Sequence, residues 1–516
     1  MATLEFAKDS RELFLPRDWQ EEDLDYLEQL DHTANWSSMG CFKTSTGAWL
    51  IDRKVGPEAN VLVVSTKSGK GPWFDVIPRC LGDEWRVFNV GTKKVDEVLI
   101  DDLRVESDVD DLVAALKRRS GRVLVMAHYH VFTNKSFMRD VLEEGVVTNA
   151  FEWDFILLDE AHRIKSKSVQ WARNIKKQSR YAKFRHLMTG TGFVNNPAEL
   201  WSLLNFLEPS KWTSYNKFAE RYCEMDNWTG YWRITGLRQD MIDDFIRVRK
   251  SYGPRRTMQE VHKDIAEPIY HSIAVDLNPI QRRMYKEIVS ELRALDQKGV
   301  PIHSPNVVSQ LQRLRQIAVA TPELVASYYD EKLDRLVQEV KLVEPSSKLD
   351  AAMEVIEGLE WDSEQRQQVV VFSNFKDPIE LLKKRLEAQY DKNGRLIRKE
   401  IPFLHMEQKD SEAIRFEKWH EIWPRKEHQV FLCTVALGGE SINLASAQYC
   451  IFLDRSWSPA QNLQAVGRVY RPGQTGIAEI IHIDATNTVD KKVLQKNEIS
   501  TGWFRRLFDE DEVNDE

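Results

Sequence analysis

An acidic pair directly follows a short apolar segment in the first third of the chain. Residues 155–158 are apolar, and Asp159 and Glu160 come next. A buried strand of this kind ends at the carboxyl edge of a parallel sheet, where α/β proteins bind their ligands. Two carboxylates at that edge suit nucleotide hydrolysis, because one can hold Mg²⁺ while the other orients the attacking water. Such a pair is more often a solvated strand end, so other parts of the chain must distinguish these interpretations.

The length of the chain excludes a single compact core. A chain of 516 residues predicts about two to four domains. No apolar run approaches the ~20 residues of a membrane span, and the first residues do not have the layout of a signal peptide. The five cysteines are widely spaced and contain no C-x-x-C pair. This usage is typical of reduced thiols in a cytosol-like compartment and does not favour a zinc site.

The net charge of −8 is unevenly distributed. Residues 509–516 carry six of the negative charges, so the rest of the chain is close to neutral. Basic residues cluster in two stretches, which comprise Arg173, Lys176, Lys177, Arg180, Lys183 and Arg185, and then Arg247, Arg249, Lys250, Arg255 and Arg256. Each stretch is compatible with a solvated helix face, but a near-neutral body with basic stripes also permits binding to a phosphate backbone.

The pattern of apolar segments predicts two α/β lobes. In residues 1–210, segments 61–64, 123–126, 155–158 and 187–188 are predicted strands of a parallel sheet. Residues 211–345 are rich in long charged side chains with helical spacing, and 270–277 is their one strand signal. From residue 346 the α/β pattern returns, with strands predicted at 369–372, 430–433, 449–453 and 477–483 and a helix at 378–390. We therefore predict a first lobe at 1–210, a mostly helical insertion at 211–345, a second lobe at 346–500 and an acidic tail at 501–516.

A candidate phosphate-binding loop lies upstream of the acidic pair, at residues 38–44. A loop of this kind uses backbone N–H groups and a helix N-terminus to hold phosphates. Its lysine reaches the outer phosphates and its hydroxyl residue binds Mg²⁺, and Lys43 and Thr44 supply these two side chains. Ser37 and Phe42 occupy the two positions at which the strict pattern has glycine. An ordinary helix start would explain the Lys-Thr pair as well.

Two further polar residues of the first lobe have sequence contexts that favour ligand contacts. Gln20 follows Pro16, and its amide can both donate to and accept from an adenine edge. The same stretch also has the features of a helix start. Thr189 follows the strand predicted at 187–188, where its hydroxyl can link the carboxylates to nucleic acid or to the second lobe. A glycine-rich turn explains Thr189 almost equally well.

Two arginines of the second lobe are spaced for a shared function. Arg468 and Arg471 are three residues apart, which places both on one face of a helix that begins after Pro459. Two guanidiniums on one face can stabilise the charge of a transferring phosphoryl group. The alternative is a surface pair, although no acidic residue lies within four positions of either arginine. Residues 438–444 form a glycine turn that can approach a phosphate backbone closely.

Together these motifs resemble the Swi/Snf-like family of superfamily 2 helicase-type ATPases. The resemblance runs from about residue 13 to residue 495. In the first lobe it rests on residues 159–166, 188–191 and 195–207, and in the second lobe on residues 438–444, 454–459 and 464–474. The stretch 195–207 is the most specific of these, and the motifs follow one another in the family's order.

The resemblance implies two RecA-like lobes with ATP and Mg²⁺ bound between them. Gln20 would contact adenine, Lys43 and Thr44 would hold phosphates and Mg²⁺, Asp159 would bind Mg²⁺ and Glu160 would activate water. Arg468 and Arg471 would complete the site from the other lobe. Further cofactor-binding residues implied by motif position are Arg17, Met39, Gly40, Cys41, Phe42, Gly439 and Gln464. Residues implied to contact nucleic acid are Lys67, Ser68, Thr189, Asn374, Thr434, Asn443 and Trp457.

The activity that the resemblance implies is ATP-driven translocation on double-stranded DNA. The alternatives are a strand-separating DNA helicase, an RNA helicase, and an ATP-binding adaptor that does not hydrolyse ATP. The adaptor is motivated by Phe42, which replaces the usual glycine and is tolerable only if its φ stays negative. Gly192 and Ser441 also depart from the family pattern, where Pro and Gly are usual. We expect a monomeric, compact bacterial or viral type that acts in the cytoplasm of a bacterium or an infected cell, alone or with a separate protein partner.

Overall fold

The protein consists of two units, each built around a β-sheet. Residues 1–261 together with 502–516 form the first unit, and residues 262–501 form the second. A computed structural model describes residues 14–67, 69–81, 84–91, 95–98, 104–107, 109–133, 152–166, 169–193, 196–228, 231–291, 293–303, 307–330, 335–361, 366–438, 442–474 and 476–508.

The first unit contains an eight-stranded sheet. Its strands are β1 (His32–Asn35), β2 (Ala59–Ser65), β3 (Trp85–Val90), β4 (Val95–Val98), β5 (Arg104–Ser107), β6 (Arg122–His128), β7 (Phe155–Asp159) and β8 (Phe184–Met188). Their order is β1-β8-β7-β2-β6-β3-β4-β5, with parallel pairing from β1 to β3 and antiparallel pairing of β4 and β5 at one edge. The four strands predicted from residues 61–64, 123–126, 155–158 and 187–188 are confirmed as β2, β6, β7 and β8.

Helices cover both faces of this sheet. They are α1 (Asp18–Glu28), α2 (Lys43–Lys54), α3 (Lys70–Cys80), α4 (Val109–Arg118), α5 (Gln170–Ser179), α6 (Leu200–Leu207), α7 (Tyr215–Tyr222), α8 (Ile242–Lys250) and α9 (Met258–Val261), with short 3₁₀ turns at Tyr129–Phe132, Ala161–Ile164, Pro197–Glu199 and Gln239–Met241. All seven residues of β2 are buried, as expected for a strand that is covered on both faces. Apolar clusters on the two sides contain Trp36 and Trp73, respectively, and both side chains are fully buried.

The second unit contains a six-stranded sheet whose strands are all parallel. The strands are β11 (Ile269–Val275), β16 (Val369–Ser373), β19 (Phe403–His405), β20 (Val430–Thr434), β21 (Tyr449–Phe452) and β22 (Glu479–Ala485), in the order β11-β22-β21-β16-β20-β19. The predicted strands at 270–277, 369–372, 430–433, 449–453 and 477–483 all belong to this sheet. Two parallel-sheet α/β units confirm the predicted fold class.

The helices of the second unit pack on both sides of its sheet. They are α10 (Pro279–Glu291), α11 (Val307–Val319), α12 (Ser347–Gly358), α13 (Lys376–Leu386), α14 (Glu412–Phe416), α15 (Val435–Gly438), α16 (Pro459–Val469) and the first part of α17 (Val489–Phe508), with a π-turn at Glu417–Ile422 and a 3₁₀ turn at Trp423–Arg425. The helix predicted at 378–390 is α13, which ends four residues earlier than expected. Small antiparallel pairs complete the unit: β12 (Arg293–Leu295) with β13 (Pro301–His303), β14 (Thr321–Asp330) with β15 (Arg335–Val343), and β17 (Gln389–Tyr390) with β18 (Leu396–Arg398).

The prediction of a mostly helical insertion at 211–345 is wrong. This stretch contains α7 to α11, but it also contains the β9 (Cys223–Trp228) and β10 (Tyr231–Leu237) hairpin, β11 and the hairpin of β14 with β15. The boundary between the units also falls within it, after Val261. The long hairpin is largely exposed: 63% of Val325 and 59% of Tyr329 are accessible. An exposed strand need not alternate regularly between apolar and polar residues. Its composition can therefore resemble that of a solvated helix, as in this hairpin.

The prediction of a tail that begins at residue 501 is also wrong. Helix α17 continues to Phe508, and its last residues belong to the first unit. Leu507 is fully buried and Phe508 is 3% exposed. The Phe508 ring contacts Trp36 edge-on at 5.6 Å between centroids and stacks on Phe504 at 4.6 Å. Only residues 509–516 of the predicted tail lie outside the part of the chain that the structure describes.

Within the described residues, no helix combines the length and the apolar composition that crossing a membrane requires.

Candidate active site

The candidate phosphate loop connects β1 to α2, as its sequence predicts. Helix α2 begins at Lys43, so the first N–H groups of the helix lie at the end of the loop. Such N–H groups have no partner within the helix and attract anions. Gly40 has a φ of 79°, a conformation that glycine adopts at no steric cost. The loop therefore has the local structure of an anion-binding turn, although it lacks the strict glycine pattern.

The segment Tyr252 to Arg256, whose role the sequence did not predict, forms hydrogen bonds with the end of β1 and the start of the phosphate loop. The Ala34 N–H donates to the Tyr252 carbonyl at 2.7 Å, and the Ser38 N–H donates to the Arg256 carbonyl at 2.9 Å. The Arg256 N–H donates to the Ser37 hydroxyl at 3.0 Å. This segment was predicted only as a basic stretch. Its hydrogen bonds connect residues more than 200 positions apart, and no local pattern in the sequence signals such a pairing.

The side chains of that basic stretch also have structural roles. Arg256 pairs with the buried carboxylate of Asp23 at 2.7 Å, and Arg255 donates to the Trp36 carbonyl at 2.6 Å. The Arg255 guanidinium also lies 4.9 Å from the centre of the Phe504 ring. The arginines therefore link α1, the start of the phosphate loop and the end of α17.

Asp159 ends β7, and its carboxylate is held by two neighbouring side chains. The Ser65 hydroxyl donates to Asp159 Oδ2 at 2.8 Å, and the Trp73 indole N–H donates to the same oxygen at 3.1 Å. Burial, reinforced by the Glu160 carboxylate, raises the pKa of Asp159 to about 6, whereas the hydrogen bonds and the Lys43 ammonium oppose this rise. A positive charge next to the Asp159 carboxylate, such as that of a bound metal ion, would offset the cost of its burial. Asp159 is thus oriented and desolvated in the way that a metal ligand requires.

Glu160 sits on a tight turn that directs the backbone away from the sheet. Its φ of 52° lies in the left-handed region, which is uncommon for a residue with a side chain. Glu160 Oε2 lies 3.2 Å from His162 Nδ1. Unusual backbone conformations concentrate at functional sites, and here the turn separates the two carboxylates.

Lys43 and Asp159 lie close enough to interact electrostatically, since Lys43 lowers the pKa of Asp159. The Lys43 ammonium donates to the Ser38 carbonyl at 2.8 Å and so bridges the loop. Carboxylate and hydroxyl oxygens, which Asp159 and Thr44 offer, are the ligands that Mg²⁺ prefers. Loop N–H groups, a lysine and a desolvated carboxylate fit a magnesium-bound nucleotide phosphate.

Gln20 and Arg17 pack beside the loop, but their side chains also have internal partners. The Gln20 amide donates to the Thr46 hydroxyl at 2.9 Å, and the residue is only 2% exposed. The Gln20 side-chain oxygen accepts a bond from the Arg17 N–H at 3.2 Å. Gln20 therefore connects α1 to the start of α2, and the predicted adenine contact stays a prediction.

Phe42 adopts the conformation that the sequence analysis identified as unfavourable. Its φ is 48°, in the left-handed region. This conformation costs a residue with a side chain about 1–2 kcal/mol. The Arg17 guanidinium stacks on the Phe42 ring, 4.1 Å from its centre, and such contacts return about 0.5–1 kcal/mol at exposed sites. The loop therefore carries strain at Phe42 that is partly offset by Arg17.

The structure places Thr189, a predicted nucleic-acid contact, in the interior of the first unit. Thr189 is fully buried, and its hydroxyl donates to the Thr191 carbonyl at 2.9 Å. The Thr189 and Thr191 hydroxyls lie 3.4 and 3.3 Å, respectively, from His162 Nδ1. A Cβ on Gly190 would come within 3.3 Å of the Met39 backbone nitrogen. The turn after β8 therefore packs against the phosphate loop and His162, not against solvent.

The two arginines of the second unit do not share a helix face as predicted. Helix α16 ends at Val469, so Arg471 lies beyond it. Pro472 follows Arg471 and excludes the helical conformation from the residue before it. The Arg471 guanidinium donates to the Ile442 carbonyl at 2.9 Å, and burial lowers its pKa. Arg468 is 7% exposed, and its backbone carbonyl accepts from the Leu444 N–H.

The other predicted nucleic-acid contacts differ in how available their side chains are. Lys67 and Asn443 are exposed. The Asn374 amide donates to the Asp454 carboxylate at 2.7 Å, so its side chain already has a partner. Thr434, Trp457 and the predicted cofactor residue Gln464 are partly buried. Ser68 and Gly439 lie outside the described residues.

The basic stretch that begins at Arg173 lines a groove of about 610 Å³ in the first unit. Arg173, Lys177 and Arg180 are exposed along it, and none of the described residues that line it is acidic. Lys176 is partly buried, donates to the Ser202 hydroxyl at 2.8 Å and lies 4.8 Å from the Trp201 ring centre. Burial lowers the pKa of Lys176 to about 7. The groove thus combines an exposed positive surface with a lysine that is only partly protonated at neutral pH.

The lowered pKa of Lys176 predicts a stability that rises with pH. Its folded-state pKa is about 7, and its ordinary value is 10.5. Between these values the unfolded chain binds a proton that the folded chain does not, so the free energy of unfolding increases with pH across this window. We expect Lys176→Met to remove this increase and to be more stable than the wild type near pH 7. Urea unfolding at a series of pH values measures the difference.

The matched control for that experiment is Lys177→Met, which changes an exposed neighbour on the same helix. Its stability profile should parallel that of the wild type. A Lys176→Met profile that also parallels the wild type would show that the Lys176 ammonium is fully hydrated in the folded protein.

Two family models match this chain. The model described as "SNF2-related domain" matches residues 34–322, which is more than half of the chain. The model described as "Helicase conserved C-terminal domain" matches residues 347–473. The phosphate loop and the acidic pair fall in the first match, whereas Arg468 and Arg471 fall in the second.

Similar curated proteins are much longer than this chain. Chromatin Remodeling 5 of Arabidopsis thaliana is 25% identical over 360 residues, which covers 69% of this chain and 19% of that protein. Chromodomain-helicase-DNA-binding protein 8 of Rattus norvegicus is 24% identical over 452 residues, covering 85% of this chain and 16% of that protein. The chain thus spans less than a fifth of the length of these relatives.

A solved structure that this chain matches is the SWI2/SNF2 ATPase core of Sulfolobus solfataricus in complex with double-stranded DNA. It is 19% identical to this chain, covers 96% of this chain and 98% of its own, and has a TM-score of 0.39. Because the SNF2-related model matches more than half of the residues and the helicase C-terminal model follows it along the chain, this protein belongs to the SNF2-related family of helicase-type ATPases.

Proposed function

We propose that this protein hydrolyses ATP and uses the energy to move along double-stranded DNA. The observation that carries this proposal is the arrangement of Lys43, Asp159 and Glu160 in the first unit. Lys43 begins the helix after the phosphate loop and acts electrostatically on Asp159. Glu160 follows Asp159 on a turn that gives its carboxylate a separate position. One carboxylate that holds the metal and one that orients the water are roles that phosphoryl transfer to water uses.

In this proposal Mg²⁺ and ATP bind at the loop before α2. The N–H groups at the start of α2 and the Lys43 ammonium would hold the phosphates, and Thr44 and Asp159 would hold the ion. When bound, Mg²⁺ would neutralise charge on the phosphate oxygens. Glu160 would accept a proton from the attacking water. The roles predicted for Arg468 and Arg471, which belong to the second unit, stay predictions.

Support for duplex DNA as the partner comes from relatives and from charge. The name of the rat relative describes a helicase that binds DNA. Exposed Lys67 and Asn443, and the basic groove along α5, offer donors to phosphate oxygens. Contacts of this kind position a protein on DNA without reading its sequence. The compact bacterial or viral type and the cytoplasmic location stay predictions.

ATP hydrolysis measured with four partners tests this function. We expect the rate to rise most with double-stranded DNA, less with single-stranded DNA and least with RNA, relative to no nucleic acid. Equal stimulation by RNA and double-stranded DNA would contradict the duplex-specific assignment. The second candidate, an ATP-binding adaptor, is motivated by the strain at Phe42 and predicts nucleotide binding without hydrolysis in any of the four reactions.

A further inference from the structure

Three potential metal ligands converge in the second unit, apart from the residues assigned to ATP. They are Glu380 on α13, His405 at the end of β19, and Glu407 two residues later. Their ligand atoms all lie within 4.8 Å of one another. His405 Nδ1 is 3.5 Å from Glu407 Oε1 and 3.9 Å from Glu380 Oε1. The shortest of these separations resembles that of two atoms that share one metal ion at about 2.0–2.2 Å.

The imidazole of His405 points into this cluster without a hydrogen-bond partner. Its side chain is 9% exposed, and its Nδ1 atom is buried and makes no hydrogen bond to the described residues. A buried polar atom without a partner costs about 1–3 kcal/mol. Two carboxylates, which are hydrogen-bond acceptors, lie 3.5 and 3.9 Å from this nitrogen. A cation among the three would satisfy all of them at once.

The two oxygens of the Glu407 carboxylate have different neighbours. The Lys409 ammonium lies 2.6 Å from Glu407 Oε2, whereas Glu407 Oε1 lies 3.5 Å from His405 Nδ1. One oxygen of Glu407 therefore faces the cluster while the other pairs with a lysine.

We propose that Glu380, His405 and Glu407 form a binding site for Zn²⁺ that connects α13 to the edge strand β19. One imidazole nitrogen and two carboxylate oxygens suit Zn²⁺, whereas Mg²⁺ and Ca²⁺ prefer oxygen ligands alone. With three protein ligands, a water molecule would complete the tetrahedron. The two carboxylates remain partly exposed, which gives the ion a path from solvent. The site is structural: it joins an edge strand to the helix beside it and takes part in no step of ATP hydrolysis.

Zinc binding to chelator-treated protein, measured by calorimetry in excess Mg²⁺, tests this site. The Mg²⁺ competes with Zn²⁺ for the oxygen-rich site proposed at Asp159, and the variants below show whether the remaining zinc binding occurs in the second unit. We expect one Zn²⁺ per chain. The loss of even an outer partner of a metal ligand costs about 10- to 100-fold in affinity, so His405→Ala and Glu380→Gln should each weaken binding by at least that factor. Co²⁺ bound in place of Zn²⁺ should show the intense visible absorption of a tetrahedral site in the wild type but not in His405→Ala.

The matched control is His271→Ala, because His271 pairs with Glu479 at 3.2 Å on the same sheet but forms part of no three-ligand cluster among the described residues. Its zinc affinity should equal that of the wild type. Circular dichroism of each variant in chelator establishes that it is folded. Zinc binding that is absent from the wild type, or unchanged in both His405→Ala and Glu380→Gln, would overturn the site. Neither result would bear on the proposed ATPase, since no zinc ligand lies in the nucleotide site.

Discussion

Glu160→Gln and Lys43→Ala are each expected to reduce ATP turnover to background. Removal of a positioned general base costs about 10²–10⁴-fold in rate, and removal of a charge that stabilises the transition state costs about 10²–10³-fold. The two variants should differ in binding. Glu160→Gln keeps the loop and Asp159 intact, so it should still bind ATP, whereas Lys43→Ala loses the ammonium that bridges the loop. Steady-state hydrolysis and equilibrium binding of a fluorescent ATP analogue separate the two effects.

Phe42→Gly tests whether the strained backbone at Phe42 limits ATP turnover. It relieves a left-handed φ of 48° but removes the ring on which Arg17 stacks. Glycine also costs roughly 0.5–1 kcal/mol in chain entropy, so we expect little net change in stability and turnover at or above the wild-type level. Full activity in Glu160→Gln or Lys43→Ala would contradict the assignment of the site. Activity that appears only in Phe42→Gly would identify the natural loop as disabled.

Gly192→Ala is expected to destabilise the first unit through the end of α17. A Cβ at Gly192 would lie 2.3 Å from Phe508 Cζ and 3.0 Å from Leu200 Cδ1. Overpacking of this kind costs about 1–3 kcal/mol. Phe508→Ala should cost about 3–5 kcal/mol, because it removes a buried aromatic ring from the cluster around Trp36. Urea unfolding followed by tryptophan fluorescence measures both.

The double variant Gly192→Ala/Phe508→Ala tests whether the side chains at these two positions contact each other. Once the Phe508 ring is absent, the added methyl group of Gly192→Ala has space, so the combined loss should be smaller than the sum of the single losses by about 1–3 kcal/mol. Gly502→Ala is the matched control, because a Cβ added there would have no atom within 4 Å, and its effect should add to that of Phe508→Ala. Strictly additive losses would show that Gly192 and Phe508 do not share the packing described above.

The first-unit site was predictable to the extent that its residues lie in local motifs. The apolar segment before Asp159 predicted a buried strand, and Lys43 with Thr44 predicted the helix start after a phosphate loop. Both follow from short-range patterns of hydrophobicity and capping. Thr189 was predicted to link the carboxylates to nucleic acid or to the second lobe because it follows a strand. Its burial depends on packing against the phosphate loop, which is distant in sequence.

Long-range pairing accounts for the other errors. The segment Tyr252 to Arg256 supports the phosphate loop through backbone hydrogen bonds. Such bonds do not depend on which side chains the segment carries, so the sequence does not predict them. The end of α17 was predicted as a tail because acidic residues follow it. The spacing of Trp503, Phe504, Leu507 and Phe508 is that of an apolar helix face, and this signal could have placed the helix end correctly. The hairpin of β14 and β15 had no comparable signal, since its exposed strands lack strong alternation.

Displacement of a third strand from triplex DNA is the most direct test of the proposed function. The wild-type protein, given ATP and Mg²⁺, should displace the third strand from a triplex joined to a duplex loading site, without separating the two strands of the duplex. Glu160→Gln should bind the same DNA and displace nothing. ATP hydrolysis by the wild type without displacement, or displacement that proceeds equally well with Glu160→Gln, would contradict movement driven by hydrolysis at this site.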